Sequence, residues 1–183
     1  MYNIVALIGE AGTGKDTIMQ RILVKRPADF NEIISCTSRP MREGEVHGVN
    51  YYYYTDEEFT DKVLNGEMLE ATYFNDWHYG TSYDSLRSDR LNIGVFNPAG
   101  IYSMLDRKDI NLTVYRIVCD DKLRLLRQLN RENNPDVDEI IRRYSADKED
   151  FKILDFYYTE IENIDEEDLE LATYAILSDL GMA

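Results

Sequence analysis

Cysteine and histidine are scarce in this 183-residue sequence, which contains two of each. Cys36 and Cys119 lie far apart and have no metal-ligand spacing, and neither His47 nor His78 has a cysteine neighbour, so we expect no structural zinc site. The sequence shows no signal peptide. We therefore expect a reducing, cytoplasmic setting.

Basic residues are also few, with 20 Lys and Arg against 35 Asp and Glu, which gives a formal net charge of −15. Such a surface repels nucleic acid and anionic membranes. The longest apolar run covers only residues 4–8, far too short to span a bilayer. We expect no nucleic-acid or membrane partner, and nothing indicates an oligomeric state. Any phosphate site must concentrate its Lys and Arg locally.

The chain is long enough for one domain with a full core, since a protein of this size buries roughly 70% of its unfolded surface. Apolar periodicity predicts strands over residues 2–8, 33–36, 51–54, 68–74, 91–96, 112–119 and 157–162. It predicts helices over 17–25, 56–64 (with Asp56 as N-cap), 85–90, 98–107, 122–131, 139–154 and 166–180, and a turn over 79–82.

This alternation of strands and helices favours an α/β fold with a mainly parallel sheet and helices on both faces. Residues 37–90 break the rhythm, because their loop, strand, helix and strand show no crossover pattern. We interpret them as a small α+β insertion in a single domain whose core is residues 1–36 and 91–183.

A glycine-rich loop lies directly between the first predicted strand and helix, and reads Gly9-Glu10-Ala11-Gly12-Thr13-Gly14-Lys15-Asp16-Thr17. Glycines let backbone N–H groups wrap around phosphate oxygens, the helix N-terminus adds its dipole, and Lys15 adds a full charge. The spacing fits the P-loop rule, except that Asp16 stands where the rule has Ser or Thr. The alternative is a tight glycine turn with an accidental lysine. The pattern predicts a nucleoside triphosphate site.

A second long pattern follows the second predicted strand and runs from Ser35 to Tyr51 as SCTSRPMREGEVHGVNY. It resembles the signature of the guanylate kinase family, and the resemblance continues through Glu70 to Tyr79-Gly80-Thr81. With the glycine loop it spans most of residues 4–81. From residue 111 to 180 it is weaker.

The resemblance implies a P-loop kinase fold, in which a parallel core sheet flanked by helices carries an acceptor-binding insertion at 37–90 and a helical lid at about 127–146. It implies ATP-dependent phosphorylation of GMP or dGMP by direct in-line transfer. Mg²⁺ accompanies ATP in such reactions.

The resemblance also implies roles for acceptor residues. Arg39 and Arg42 match arginines that hold the acceptor phosphate, and fork-like guanidinium donors suit a phosphate dianion. Tyr51 and Tyr79 match tyrosines whose hydroxyls complete the phosphate site. The alternative for Tyr51 is that it is present only because strands favour tyrosine. Glu70 matches the carboxylate that reads guanine. Ser35 and Thr81 match hydroxyls near the base, and Asn97 stands at the position of the second residue that reads guanine.

The implied catalytic residues are Lys15, Arg39, Arg131 and Arg143. Arg131 and Arg143 match lid arginines and flank a polar break, as a lid hinge requires. Arg142 adjoins Arg143, and either can be aligned with the lid position.

Two features depart from the family. Asp16 follows the lysine, and Val95 and Asn97 stand where guanylate kinases usually carry aspartates. We hypothesise that Asp16 supplies the metal-binding carboxylate; the alternative is that it faces solvent and caps the first helix turn. Two other functions stay open: a kinase of another phosphorylated acceptor such as ribose bisphosphate, and an inactive guanylate-kinase-like binding domain.

Overall fold

A computed structural model describes residues 1–42, 44–74, 76–131, 133–164 and 166–182. Three residues of the predicted insertion and lid, Glu43, Asn75 and Glu132, lie outside the described residues. The strands are β1 (Tyr2–Ile8), β2 (Phe30–Glu32), β3 (Cys36–Thr37), β4 (Tyr52–Tyr53), β5 (Met68–Phe74), β6 (Trp77–Ser82), β7 (Leu91–Val95), β8 (Ile110–Val118) and β9 (Thr159–Glu162). The helices are α1 (Lys15–Lys25), α2 (Asp56–Leu64), α3 (Pro98–Met104), α4 (Asp121–Leu129), α5 (Val137–Asp150) and α6 (Glu166–Asp179).

The main sheet has the order β2-β7-β1-β8-β9, and all its pairings are parallel. Side chains of β1 alternate between its faces. Val5 packs in one apolar cluster with Ile18 of α1 and Ile176 of α6, whereas Ile4 packs in a second cluster with Ile101 of α3. Because both faces are covered, nearly every residue of β1 is apolar. The predicted α/β fold is confirmed.

The second sheet has the order β4-β3-β6-β5 and is mostly antiparallel. Helix α2 closes it around a small core of Cys36, Phe59 and Met68. In the chain this sheet falls between β2 and β7, which are neighbours in the main sheet. The chain therefore leaves the main sheet at the carboxyl end of its edge strand β2 and re-enters at the amino end of β7.

Three predicted elements are wrong. Of the strand predicted at 33–36, residues 33–35 are a connection in which the chain crosses from β2 of the main sheet to β3 of the second sheet, and only Cys36 is in a strand. The turn predicted at 79–82 is part of β6, which pairs along its length with β5. The helix predicted at 85–90 is one 3₁₀ turn, Tyr83–Ser85, followed by a loop whose Arg87 N–H donates to the buried Asn92 side chain.

The N-cap of α2 is Thr55 and not Asp56. The Thr55 hydroxyl accepts from the Glu58 N–H, and the Glu58 carboxylate accepts from the Thr55 N–H, which is a complete capping box. Over the described ranges, no helix combines the length and apolar character needed to cross a membrane.

Candidate active site

The phosphate loop packs tightly against the elements behind it, and its glycines make this possible. Gly12 and Gly14 have φ values of 84° and 88°, which side-chain-bearing residues rarely adopt. A Cβ on Gly12 would lie 2.5 Å from the Arg124 carbonyl oxygen, and one on Gly14 would lie 2.3 Å from Asn163 Nδ2. The sequence pattern thus reflects close backbone approach to α4 and to the β9–α6 connection.

A cleft of about 600 Å³ opens beside this loop. The residues that line it are Ala11, Gly12, Gly14, Lys15, Asp16, Thr17, Arg127, Gln128, Arg131, Arg143, Asn163 and Leu169. The structure therefore brings the predicted loop residues together with both predicted lid arginines. Of the two adjacent arginines, Arg143 lines the cleft and Arg142 does not, although both donate to Glu139.

Lys15 is the first residue of α1 and lines the loop cleft. Its Nζ lies 3.4 Å from the Glu10 carbonyl oxygen. Burial lowers the pKa of Lys15, and the negative charges of Asp16 and Asp147 oppose this effect. The nearby carboxylates therefore favour the charged form of a lysine that is partly removed from water.

Sequence reasoning missed four residues around the loop: Arg124, Arg127, Asp147 and Asn163. The arginines had a detectable signal, because positions 124, 127 and 131 share one face of the predicted helix. Asn163 is buried and donates from Nδ2 to the Thr13 carbonyl oxygen at 2.7 Å. Neither Asn163 nor Asp147 had a local signal, since both meet the loop across more than 130 residues of sequence.

Arg39 lies at the second sheet with the two predicted tyrosines, and we call these three residues the Arg39 cluster. Its side chain is buried, and its guanidinium carbon lies 5.7 Å from the centre of the Tyr51 ring. The rings of Tyr51 and Tyr79 meet edge to face at 6.2 Å. Glu45 is the counter-ion, with its carboxylate 2.8 Å from Arg39 Nη2. This cluster combines a cation with phenolic hydroxyl groups, which suits an anion.

Two other predicted acceptor residues lie at the margin of this cluster. The Arg42 side chain is exposed and makes no hydrogen bond or ion pair with the described residues, so its guanidinium remains available to a ligand. Ser35 is half-buried, and its carbonyl oxygen accepts from the Tyr52 N–H at 2.8 Å.

Glu70 lies deeper, on β5 opposite Thr81 of β6. Burial raises the pKa of Glu70 to about 7, against the opposing effect of the Thr81 hydroxyl. Thr81 Oγ1 is itself buried, with no partner in hydrogen-bond geometry among the described residues. Glu70 is half-buried and Thr81 is fully buried, so a ligand that reaches them can pair two polar groups that have few partners in the protein.

Asn97 lies on the other side of Glu70. A Cβ added to Gly100 would lie 3.3 Å from Asn97 Oδ1 and 3.6 Å from Glu70 Oε2, so both side chains border one point. Asn97 Oδ1 accepts from the Gly100 N–H at 2.8 Å and caps α3. One lone pair of this oxygen is therefore already used.

One residue of the loop cleft, Asp16, lies near one residue of the Arg39 cluster, Tyr51. After burial and Tyr79, the charge of Asp16 is a further cause that raises the pKa of Tyr51, so these two residues lie within electrostatic range. Asp16 is exposed in the first turn of α1 and lines the loop cleft. The described residues contain no group of three or more His, Cys, Asp or Glu arranged to hold a metal.

The fold and the loop cleft define a P-loop kinase architecture. A crystal structure of guanylate kinase from Anaplasma phagocytophilum superposes with a TM-score of 0.67 at 16% identity, over 98% of this chain and 85% of that one. At this identity the likeness shows the fold alone.

The family follows from the sequence comparisons. The guanylate kinase family model matches residues 1–95, which is more than half of the chain, and the chain belongs to that family. It is 42% identical over 84 residues to a guanylate kinase of Chlorobium luteolum, a match covering 46% of this chain but only 42% of the relative's length. It is 29% identical over 178 residues to a guanylate kinase of Nostoc sp., over 94% of this chain and 86% of the relative.

Proposed function

We propose that this protein transfers the terminal phosphate of ATP to GMP or dGMP. The observation that carries the proposal is the adjacency of two complementary sites. A phosphate loop with Lys15 lines one cleft, and Asp16 of that cleft lies within electrostatic range of Tyr51. Tyr51 clusters with Arg39 and Tyr79, and the half-buried Glu70 lies on β5 of the same sheet.

The Arg39 cluster and Glu70 together have the chemistry that a GMP acceptor needs. Arg39 and the exposed Arg42 hold the monophosphate, with Tyr51 and Tyr79 as neutral donors. Ionised Glu70 accepts from guanine N1–H and from the exocyclic amine together, a pair of donors that adenine lacks. Ser35 and Thr81 lie at the margins of the base site, and the Thr81 hydroxyl is buried beside Glu70.

Phosphoryl transfer needs alignment and charge neutralisation more than a protein nucleophile. The donor phosphates lie on the loop amides, where Lys15, Arg131 and Arg143 neutralise them. The acceptor oxygen attacks in line, and no covalent enzyme intermediate forms. The insertion at 37–90 and a lid at 127–146 close over the substrates, which excludes water and keeps ATP hydrolysis slow.

A divalent cation fits the donor side. Asp16 and Thr17 place a carboxylate and a hydroxyl in the loop cleft, and magnesium takes such hard oxygen ligands together with phosphates and water. When bound, Mg²⁺ supplies charge neutralisation of the phosphates. The proposed setting is the cytoplasm, which the two free thiols, Cys36 and Cys119, support.

One observation favours a second function, a kinase for ribose bisphosphate or a similar acceptor. Val95 and Asn97 supply no carboxylate to the base site, and Asn97 Oδ1 already accepts from the Gly100 N–H. Of these positions only Glu70 offers a carboxylate, so the base site has fewer guanine contacts than the family pattern implies. An inactive binding domain is a weaker alternative, because Lys15, Arg131 and Arg143 all line the cleft.

The deciding experiment measures ADP release with Mg·ATP and each of GMP, dGMP, AMP and ribose bisphosphate, with a no-acceptor control. We expect GMP or dGMP to be the best acceptor. If ribose bisphosphate is better, the second function is correct. If no acceptor raises ADP release while Mg·ATP binds poorly, the inactive domain is correct.

A further inference from the structure

Asp147, near the end of α5, contacts the phosphate loop directly. Its Oδ2 accepts from the Ala11 N–H at 2.6 Å and lies 3.2 Å from Arg124 Nη2. Asp147 is the residue immediately after the proposed lid at 127–146. The contact thus joins the far end of the lid to a peptide group of the donor site.

Arg124 supports this contact from beneath. Its side chain is 1% exposed, and Nε donates to the Ala11 carbonyl oxygen at 3.1 Å. Asp121 and Asp147 neutralise it, at 2.9 Å and 3.2 Å, and the Tyr144 ring centre lies 5.5 Å from its guanidinium carbon. A buried guanidinium is tolerated only with such pairing. As a result, Asp147 and Arg124 together hold both the N–H and the C=O of Ala11.

The near end of the lid rests on the same part of the loop. Arg127 Nη1 lies 3.4 Å from the carbonyl oxygens of Gly12 and Thr13 and 3.3 Å from that of Asn163. Both ends of segment 127–146 are therefore fastened to residues 11–13. A change in the loop on nucleotide binding would be transmitted to both ends of the segment.

Arg143 precedes Asp147 by four residues on α5, so the two lie on one face of the helix, about one turn apart. Lys15 and Arg143 both line the loop cleft. Contact of Asp147 with the loop therefore fixes the position of Arg143 relative to this cleft. Arg143 itself is half-exposed and is held by Glu139 at 3.0 Å, so its own contacts constrain it weakly.

We propose that Arg124 and Asp147 form a clasp between the lid helix and the phosphate loop, and that Asp147 is a positioning residue that places Arg143 on the transferring phosphate. This inference rests on the proposed function. A competing explanation predicts the opposite effect of Asp147 on the donor site. In it, Asp147 occupies space needed by the donor phosphates and repels them. Removing its charge would then strengthen ATP binding.

The test is a double-mutant cycle on kcat with saturating Mg·ATP and GMP, using Asp147→Asn, Arg143→Met and the double variant. Asp150→Asn, an exposed carboxylate on the same helix, is the matched control. We expect Asp147→Asn to lower kcat about tenfold while the KM values for ATP and GMP change less than about threefold, since one charge-assisted contact of a positioning residue is weakened. The double variant should be no slower than Arg143→Met alone, because Asp147 acts through Arg143.

Two results overturn the clasp: additive losses in the cycle, or tighter ATP binding with undiminished kcat in Asp147→Asn. Thermal unfolding checks that each variant is folded at the assay temperature. If Asp147→Asn is not folded, Asp147→Glu replaces it in the same cycle with the same expected coupling. A wild-type protein that does not phosphorylate GMP refutes the proposed function instead, and the cycle is then run with the best acceptor of the substrate panel.

Discussion

The guanidinium of Arg39 is held by Glu45, whose two carboxylate oxygens lie 2.8 and 3.0 Å from Nη2. Glu45 Oε2 also accepts from the Arg42 N–H at 2.8 Å. The Arg39 side chain, followed by the Arg42 N–H, lowers the pKa of Glu45 to about 2. Glu45 is thus ionised at neutral pH and holds both arginines of the proposed acceptor site, Arg39 by its side chain and Arg42 by its backbone.

Glu45→Gln should raise the KM for GMP about tenfold or more while the KM for ATP stays nearly constant. The amide keeps the size of the carboxylate but loses the charge-assisted contact, which contributes about 1.5–3 kcal/mol. Steady-state kinetics at pH 7.5 measures both constants. Glu57→Gln, an exposed change on α2, is the matched control. Equal loss of ATP and GMP binding would mean that Glu45 stabilises the fold rather than the acceptor site.

Arg42→Met tests the exposed arginine. Because its side chain has no partner among the described residues, its loss should leave thermal stability within about 0.5 kcal/mol of wild type. Turnover with GMP should fall by a factor of ten or more, since one charge-assisted phosphate contact is lost. Kinetics and thermal unfolding on the same preparation separate the two effects. Unchanged GMP turnover would remove Arg42 from the acceptor site.

Glu70 predicts a pH dependence of GMP use. Burial raises the pKa of Glu70 to about 7, so its carboxylate is largely protonated at pH 6 and largely ionised at pH 8. Only the ionised form accepts both guanine donors. Hence kcat/KM for GMP should rise with pH through about 7, because this quantity reports the free enzyme.

The same pKa shift predicts the opposite trend for stability. The pKa of Glu70 is raised above that of an unfolded glutamate, so burial of the charged form disfavours folding as pH rises from about 4.5 to about 7.

Glu70→Gln should abolish the rise in kcat/KM near pH 7 and lower GMP turnover far more than AMP turnover. Any rise that remains belongs to the GMP phosphate, whose second pKa is about 6. If the wild-type pH profile is flat between 6.5 and 8, this role of Glu70 is refuted.

The parts of the fold that short sequence patterns encode can be predicted from the sequence. The loop at 9–17 and strand β1 follow from glycine spacing and apolar residues, and both lie where predicted. The sequence predicts a turn at 79–82, and pairing with β5 makes these residues part of β6. The contact of Asp147 with Ala11 joins residues 136 positions apart, and no local pattern encodes it.

The buried Asn92 shows how such long-range contacts determine stability. Its Oδ1 accepts from Asn31 Nδ2 and the Arg87 N–H, and its Nδ2 donates to the carbonyl oxygens of Asn3 and Arg87. This side chain fastens the 86–90 loop to β1 and β2. It explains why those residues do not form the predicted helix.

Asn92→Ala should therefore destabilise the protein by about 3 kcal/mol, because several buried polar partners lose their hydrogen bonds together. Urea unfolding followed by circular dichroism measures this change. Asn111→Ala is the control, because Asn111 is exposed and donates to a single side-chain oxygen, Asn3 Oδ1. It should change stability by less than about 0.5 kcal/mol. A loss below about 1 kcal/mol for Asn92→Ala would show that water replaces these bonds.

A single substitution at Asp16 tests whether this residue helps to bind magnesium. A P-loop kinase normally holds magnesium with a hydroxyl after the lysine and an acid on a neighbouring strand. Here Asp16 stands after the lysine, in the cleft, and strand β7 ends in Val95. We predict that Asp16 supplies the missing carboxylate and that, without metal, it repels the triphosphate. ATP binding should then depend strongly on magnesium.

Asp16→Asn should weaken Mg·ATP binding or lower turnover, and it should strengthen binding of metal-free ATP, because a negative charge beside the phosphates is removed. Calorimetric titrations with ATP in magnesium and in EDTA measure both affinities. Asp61→Asn, an exposed change on α2, is the control. The alternative role of Asp16 is favourable interaction with the α1 dipole, since it lies in the first turn behind an N-cap, Gly14, that has no side chain. In that case Asp16→Asn should cost about 0.3–1 kcal/mol of stability and leave the ratio of the two ATP affinities unchanged, which would refute the metal role.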